Sequence, residues 1–406
     1  MDGYVVLLSA LVALLAGLAI GKAWERYKLR DGQWIDRRRA RESPHYMLGL
    51  NFLVTNQTEP AIDELTRAAA AAGDPLEIHL ILGNLYREKG QVGRAIQEHQ
   101  SLLQRPDLRK LEHANVLLCL GLDYKRGGFV DRALEAFTEV LRLDPDNPYA
   151  LSNLEKLYEE QHQWADAYAT RHKLARRDTD TSQARHQEIL AFLENELGLD
   201  ALKRMDYPDA ARRFDAAIEL DERTVPAYLN LGDVRFYQGD AAGAIAAWER
   251  LIEKSPERAY LVFARLEGAY PKANDPGRFP ALCRRLIEAN PHDWRARLAL
   301  ARHLSSRDAA PEALEILFEA LVHNPHALAL HQAIWHTLST LHLPQALVTR
   351  YVDLTRDAVF YLDPHICIRC RYRSTELLWQ CPQCHEWNTF IEERIAPAKE
   401  NLKSDV

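Results

Sequence analysis

The chain has 406 residues, which is enough for two or three domains or for one array of repeats, because a single hydrophobic core stops growing at about 250–300 residues. Hydrophobic residues make up 47% and charged residues 27% of the chain, with 18 Gly and 19 Pro, so the composition excludes a disordered or collagen-like protein and favours a helical one. The formal net charge of −7 argues against a nucleic-acid-binding protein.

The chain begins with a long uncharged segment. Residues 4–21, YVVLLSALVALLAGLAIG, would span about 27 Å as a helix, close to the thickness of a hydrocarbon core. Only Asp2 precedes it, whereas a cleaved signal peptide would begin with a basic region. Basic residues outnumber acidic ones in the segment that follows, which is typical of the cytoplasmic side. We therefore predict a transmembrane signal-anchor helix over residues 1–21, a basic juxtamembrane linker over 22–42, and a cytoplasmic location for the rest.

A short phrase recurs through the middle of the chain. LGLNF, LGNLY, LGLDY, LGLDA and LGDVR each contain a Gly that is followed twelve residues later by an Ala. These pairs are Gly49 and Ala61, Gly83 and Ala95, Gly121 and Ala133, Gly198 and Ala210, and Gly232 and Ala244. A period of 34 residues with small residues at two fixed places indicates tetratricopeptide repeats, in which two antiparallel helices approach closely. We predict about nine repeats over residues 43–358.

Two further sets of positions support the repeat prediction. Gly residues are expected at the turns between paired helices, and large apolar side chains are expected on the second helix. The turn positions are Gly90, Gly128 and Gly239, and the large apolar positions are Phe137, Phe214 and Trp248. The fold class predicted for this part is an all-α superhelical solenoid.

A solenoid of this kind binds segments of other proteins along an extended surface and needs no chemistry of its own. The chain has no P-loop, HExxH, GxSxG or dinucleotide fingerprint, so we predict no catalytic residue and no enzymatic activity. His331, His336 and His342 are close in sequence without a helical ligand spacing, and we interpret them as packing or surface histidines.

The C-terminal region contains the strongest chemical motif. Cys367, Cys370, Cys381 and Cys384 form two C-x-x-C pairs separated by ten residues. Each pair can present two thiolates to one ion, so we predict a tetrahedral site for a single zinc or iron ion, between which the sequence does not choose. His365 and His385 flank the cysteines and are weaker candidates for substitute ligands. The predicted rubredoxin-like or zinc-ribbon module spans residues 363–395.

The same region has more apolar side chains than a short module can bury on itself. They are Ile366, Ile368, Leu377, Leu378, Trp379, Trp387 and Phe390. We therefore predict that the metal stabilises a small module that docks on the last repeats. The two remaining cysteines, Cys119 and Cys283, fall at apolar helical positions without a partner spacing, which favours a reducing compartment.

An anchor, helical repeats and a four-cysteine ending, in that order, resemble the lipopolysaccharide assembly protein B family of Gram-negative bacteria. The resemblance is densest in YMLGLNFLVTNQTEPAIDEL (46–65), EIHLILGNLYREKGQVGRAIQEHQSLL (77–103) and LLWQCPQCHEWNTF (377–390). One departure is that Arg371 and His385 follow the second and fourth cysteines, where such modules commonly have Gly, so a strained backbone is expected at both positions.

The resemblance implies an adaptor in the inner membrane. In that family the adaptor restrains lipopolysaccharide synthesis by bringing the committed-step deacetylase of lipid A synthesis to the membrane-bound protease FtsH. Other lipopolysaccharide assembly proteins are further expected partners, and a homo-oligomer is left open. The resemblance also assigns the four cysteines as the metal ligands.

Two other functional classes compete with this hypothesis. A rubredoxin-type electron carrier would use iron in the same four-cysteine site. A nucleic-acid-binding zinc ribbon would use Arg369, Arg371 and Arg373 as phosphate contacts. The first 41 residues contain eight basic and four acidic side chains, so residues 42–406 have a net charge of −11, which repels a polyanion. We therefore interpret the three arginines as a solvated rim.

Overall fold

The computed structural model describes residues 43–71, 75–106, 108–177, 180–341, 345–355 and 365–392. The predicted anchor and basic linker, residues 1–42, lie outside these ranges. No helix among the described residues is long and apolar enough to cross a membrane.

Helices account for most of the described chain, and the three strands come last. The helices before the first irregular segment are α1 (Pro44–Val54), α2 (Thr58–Ala71), α3 (Leu76–Glu88), α4 (Val92–Leu103), α5 (Lys110–Arg126), α6 (Val130–Leu143), α7 (Pro148–Glu160), α8 (Trp164–Ala175), α9 (Asp180–Lys203), α10 (Tyr207–Leu220), α11 (Val225–Tyr237) and α12 (Ala241–Lys254). Two 3-10 helices, Pro256–Val262 and Pro271–Ala273, enclose α13 (Phe263–Ala269). The remaining helices are α14 (Arg278–Ala289), α15 (Trp294–Ser305), α16 (Ala310–His323), α17 (Leu328–Thr340) and α18 (Gln345–Thr355).

The described residues form two compact units, one ending at Leu157 and one beginning at Tyr158. In the first unit, α1 packs with α2, α3 with α4, and α5 with α6. In the second unit the pairs include α9 with α10, α11 with α12, and α15 with α16. Short turns join the members of each pair, as the repeat prediction requires.

Small residues allow the paired helices to approach closely. The recurring Gly lies on the first helix and meets a large side chain sixteen residues later on the second helix: a Cβ atom added to Gly121 would come within 2.6 Å of Phe137, and one added to Gly198 within 2.5 Å of Phe214. At Gly232 an added Cβ atom would overlap with the indole of Trp248. The repeating Ala residues are fully buried at the same contacts. The predicted roles of both small residues are therefore confirmed.

The turns between paired helices use a left-handed backbone conformation. Gly90 and Gly128 have φ angles of 75° and 76°, which only Gly adopts without strain. His162 and Met205 take the corresponding conformation in two other turns, with φ angles of 55° and 64°.

A small antiparallel sheet forms the C-terminal module. Its strands are β1 (His365–Cys367), β2 (Arg373–Ser374) and β3 (Phe390–Glu392), in the order β2-β1-β3. In this register Ile366 lies opposite Arg373 on one side and Ile391 on the other.

Two of the three neighbouring histidines, His331 and His336, lie among the described residues. His331 is fully buried, and its ring nitrogens hydrogen-bond to the Tyr351 hydroxyl (2.9 Å) and the Pro325 carbonyl (2.7 Å). His336 is exposed, and His342 lies outside the described residues.

Candidate metal centre and its docking surface

Four thiols converge in the C-terminal module. Cys367 and Cys370 lie at the end of β1 and in the turn after it, while Cys381 and Cys384 lie in a second turn. All four Sγ atoms are within 4.8 Å of one another. The Sγ atoms of Cys367 and Cys384 are 3.8 Å apart, and those of Cys370 and Cys381 are 3.5 Å apart. Four sulfurs held tetrahedrally at about 2.3 Å from one ion would be about 3.8 Å apart, so the cluster has the dimensions of a zinc or iron site.

Each pair of cysteines is closed by the same backbone hydrogen bond. The N–H groups of Arg371 and His385 donate to the carbonyls of Cys367 and Cys381, both at 2.9 Å. The φ angles are 65° at Arg371 and 54° at His385, in the left-handed region that favours Gly. These are the two positions at which the sequence predicts an unfavourable backbone conformation.

The thiols of Cys367 and Cys384 lie in different environments. Burial alone would raise the pKa of the Cys367 thiol, but hydrogen bonds with the Thr389 hydroxyl and the N–H groups of Cys370 and Arg369 outweigh this effect and lower it to about 6. Burial raises the pKa of Cys384 to about 12, and the neighbouring sulfurs add to the rise. A cation placed among the four sulfurs would favour the thiolate at each of them, so metal binding and proton release are coupled.

The flanking histidines differ from the cysteines in their surroundings. His385 Nε2 lies 3.6 Å from a Glu160 carboxylate oxygen, and the group of potential ligands found among the described residues contains the four thiols alone. The assignment of these thiols as the ligands of a bound ion stays a prediction.

Trp387 anchors the module on the helices of the second unit. Its side chain is 3% exposed and packs on two aromatic residues, with ring centroids 6.3 Å from Trp164 on α8 and 5.3 Å from Phe192 on α9. The Trp379 ring lies 6.5 Å from the same Phe192 ring. Stacked and edge-to-face arrangements at these distances are favourable beyond the area that they bury.

A buried carboxylate lies beneath this aromatic cluster. Glu159, near the end of α7, is 4% exposed. Its Oε1 atom accepts a hydrogen bond from Trp387 Nε1–H (3.0 Å), and its Oε2 atom accepts one from Gln380 Nε2–H (2.9 Å). Since burying a carboxylate is costly unless it accepts hydrogen bonds, the module supplies donors that this helix needs.

Polar contacts surround the aromatic cluster at the start of α9. Arg185 donates from Nη2 to a Glu386 carboxylate oxygen (2.9 Å) and to the Trp387 carbonyl (3.3 Å). Asn388 Nδ2 donates to Glu188 Oε1 (2.9 Å).

The opposite edge of the module contacts the later part of the second unit. Arg295 on α15 forms an ion pair with Glu392, and Arg258 donates to the Phe390 carbonyl (3.4 Å). Burial would raise the pKa of Glu392, but the pairing with Arg295 holds it below its usual value.

The predicted docking place was wrong for the aromatic cluster, which lies on α7 to α9, while the ion pair of Arg295 on α15 agrees with contact to the later repeats. The module forms hydrogen bonds and ring contacts with α7, α8, α9 and α15, whereas the sequence analysis placed it on the last repeats. The reason is that the rings of Trp164 and Phe192 pack on the indole of Trp387, and Glu159 accepts a hydrogen bond from its N–H group. No local sequence motif identifies these three residues as the docking surface. Trp379 and Trp387 face the helices as predicted, whereas Ile368 is 52% exposed.

Comparisons with known proteins agree with this architecture. Family models match the tetratricopeptide repeat at residues 46–107, 119–172 and 195–259, and the rubredoxin metal binding domain at residues 365–392. The chain is 25% identical over 352 residues to "Lipopolysaccharide assembly protein B" of Escherichia coli (strain K12), covering 86% of this chain and 89% of that protein. It is 23% identical over 394 residues to the Haemophilus influenzae protein of the same name, covering 94% and 97%. The resemblance noted in the sequence is therefore confirmed.

A more distant similarity is confined to part of a larger protein. The chain is 26% identical over 175 residues to "Probable UDP-N-acetylglucosamine--peptide N-acetylglucosaminyltransferase SPINDLY" of Hordeum vulgare. The match covers 43% of this chain and 18% of that protein.

Proposed function

We propose that this protein, a homologue of lipopolysaccharide assembly protein B, is an adaptor that holds a protein client beside a membrane partner. The observation that supports it best is that similarity to the Haemophilus influenzae protein of that name covers 94% of the chain, which has both the repeat helices and the four-cysteine module. Tetratricopeptide helices bind other polypeptides, and a tether raises the effective concentration of two weakly interacting partners.

The finer part of the proposal concerns the membrane and the client. Residues 1–21 form a single-pass anchor in the inner membrane, with the bulk of the chain on the cytoplasmic side. The client is the deacetylase of lipid A synthesis, and the membrane partner is the protease FtsH, which degrades the client. The uncharged segment at residues 4–21 and the basic residues after it support this placement.

The metal has a structural role in this proposal. Cys367, Cys370, Cys381 and Cys384 bind one zinc or iron ion, which stabilises a module that is too small to form a core of its own. The module in turn covers the aromatic side chains of Trp164 and Phe192. Because the module contacts several helices, it is a fixed part of the protein that binds the client.

Replacement of the anchor tests the adaptor function. Removal of residues 1–21 is expected to leave client binding intact and to raise the steady-state level of the deacetylase, because the client no longer reaches the membrane protease. A matched control replaces the same residues with an unrelated single-spanning helix, which should restore degradation. Unchanged deacetylase levels after removal of the anchor would refute the proposal.

A rubredoxin-type electron carrier is the second candidate, because the C-terminal module matches a rubredoxin metal binding domain. Metal analysis of the purified full-length protein distinguishes the two. Zinc at one ion per chain is incompatible with electron transfer, whereas iron with a reversible change in visible absorbance supports it.

A further inference from the structure

The first helices of the repeats differ in charge along the second unit. Helix α15, WRARLALARHLS, and helix α17, LALHQAIWHTLST, contain no Asp or Glu. Helix α7, at the other end of the module's docking surface, ends in LEKLYEE and contributes the buried Glu159. Glu159 on α7 is thus covered by the metal module, whereas Arg302 on α15 is exposed.

A cleft of about 400 Å³ lies where α15 and α17 meet. Small apolar side chains, including Ala301 and Ala333, contribute to its lining, and Arg302, Gln332 and His336 are exposed polar residues around it. The Ser305 and Thr337 hydroxyls, 3.3 Å apart, join the two helices within the cleft. The cleft therefore combines an apolar surface with hydrogen-bond donors.

Arg302 differs from the other arginines of α15. Arg295 pairs with Glu392 of the module, and Arg297 donates to the Pro291 carbonyl. Within the described part of the chain, Arg302 and His336 have no carboxylate partner. A guanidinium group offers a planar set of donors that fits a carboxylate, and here it remains available.

The cleft lies next to the docked module. Arg295 and Arg302 are seven residues apart on one helix, so they share a face and are separated by about 10 Å along its axis. Because Arg295 contacts the module, a ligand bound at Arg302 would lie on the same face of the second unit, two helical turns away.

We infer that this cleft binds a carboxylate of an extended acidic segment in the protein client, with Arg302 and His336 as the charged and polar contacts. The apolar lining accommodates a small side chain beside that carboxylate, and the Gln332 amide is placed for a hydrogen bond to the peptide backbone. The inference rests on the proposed adaptor function and identifies the chemistry of the segment that the adaptor holds.

Peptide binding tests the cleft directly. The probe is a fluorescein-labelled peptide, DLEADLEA, and the comparison peptide, NLQANLQA, has the same shape without charge. Full-length, metal-loaded protein in detergent is titrated against each and followed by fluorescence anisotropy. We expect the acidic peptide to bind at least about tenfold more tightly than the neutral one, and Arg302→Glu to weaken it by at least about tenfold.

Arg307→Glu is the matched control. Arg307 is exposed on the same segment, does not line the cleft, and its replacement changes the net charge by the same amount. It is expected to change the dissociation constant by less than about twofold. Equal binding of the two peptides, no binding of either, or equal losses in the two arginine variants would each overturn the inference. The adaptor function is tested by a separate measurement, the deacetylase level in cells whose adaptor lacks residues 1–21.

Discussion

The hydrogen bond between Trp387 and Glu159 allows a quantitative test of how the metal module is held. Trp387→Phe keeps an aromatic ring against Phe192 but removes the N–H group that donates to the buried carboxylate. A hydrogen bond to a charged group contributes about 1.5–3 kcal/mol. Since Gln380 still donates to the other carboxylate oxygen, we expect a loss of about 2 kcal/mol, which is about a 30-fold decrease in the docking equilibrium.

A double-mutant cycle isolates this one interaction. Glu159→Gln removes the charge, and the double variant is expected to lose less than the sum of the two single losses, by about 1–2 kcal/mol. The matched control is Trp335→Phe, because Trp335 donates from Nε1 to the Tyr351 hydroxyl (2.6 Å) and is 48% exposed. The control should leave docking unchanged.

Native-state hydrogen exchange of the metal-loaded, full-length protein measures the docking equilibrium. Amides of β3 and of the first half of α9 should lose protection in Trp387→Phe, while those of α5 and α6, in the first unit, should keep theirs. Unchanged protection in Trp387→Phe, or strictly additive losses in the double variant, would contradict this prediction, because the hydrogen bond would then contribute nothing to docking.

Three further predictions concern the repeats and the metal. Gly232→Ala should lower the free energy of unfolding by about 1–3 kcal/mol in urea, because its Cβ atom overlaps with Trp248, whereas Gly268→Ala has open space and should not destabilise the protein. Burial raises the pKa of Glu196 from 4.5 to about 7, so the folded state retains its proton to higher pH than the unfolded state does. Stability should therefore fall as the pH rises from about 4.5 to about 7, and urea titrations of Glu196→Gln should lack this part of the slope. Cys381→Ser should lose the bound metal, measured by elemental analysis, and the protection of the module, with the circular dichroism of the repeat helices retained; full metal content in this variant would contradict the ligand assignment.

The repeat helices and the cysteine cluster could be predicted because their signals are local. The Gly-to-Ala interval reports a contact between helices that are adjacent in sequence, and the steric role of Gly121 against Phe137 follows from it. The four cysteines likewise lie within eighteen residues of one another. Local chemistry was also sufficient to expect a strained backbone at Arg371 and His385.

The docking surface could not be predicted in the same way. Trp387 and Glu159 are 228 residues apart, and Glu386 and Arg185 are 201 apart. In the sequence, Glu159 resembles an ordinary exposed acidic residue, because its helix ends in LYEE. Its burial depends on Trp387, which comes close to it only in the folded chain. Residue spacing and hydrophobic periodicity therefore cannot predict this contact.

The separation between these partners has a consequence for synthesis of the chain. Helices α7 to α9 leave the ribosome long before Trp387, and at about 5–20 residues per second the delay over 228 residues is about 10–45 s. Throughout that time the rings of Trp164 and Phe192 lack the indole that covers them in the finished protein. A chain that stops short of its last forty residues therefore displays an uncovered aromatic surface, by which the cell's chaperones and proteases can tell an incomplete copy from a complete one.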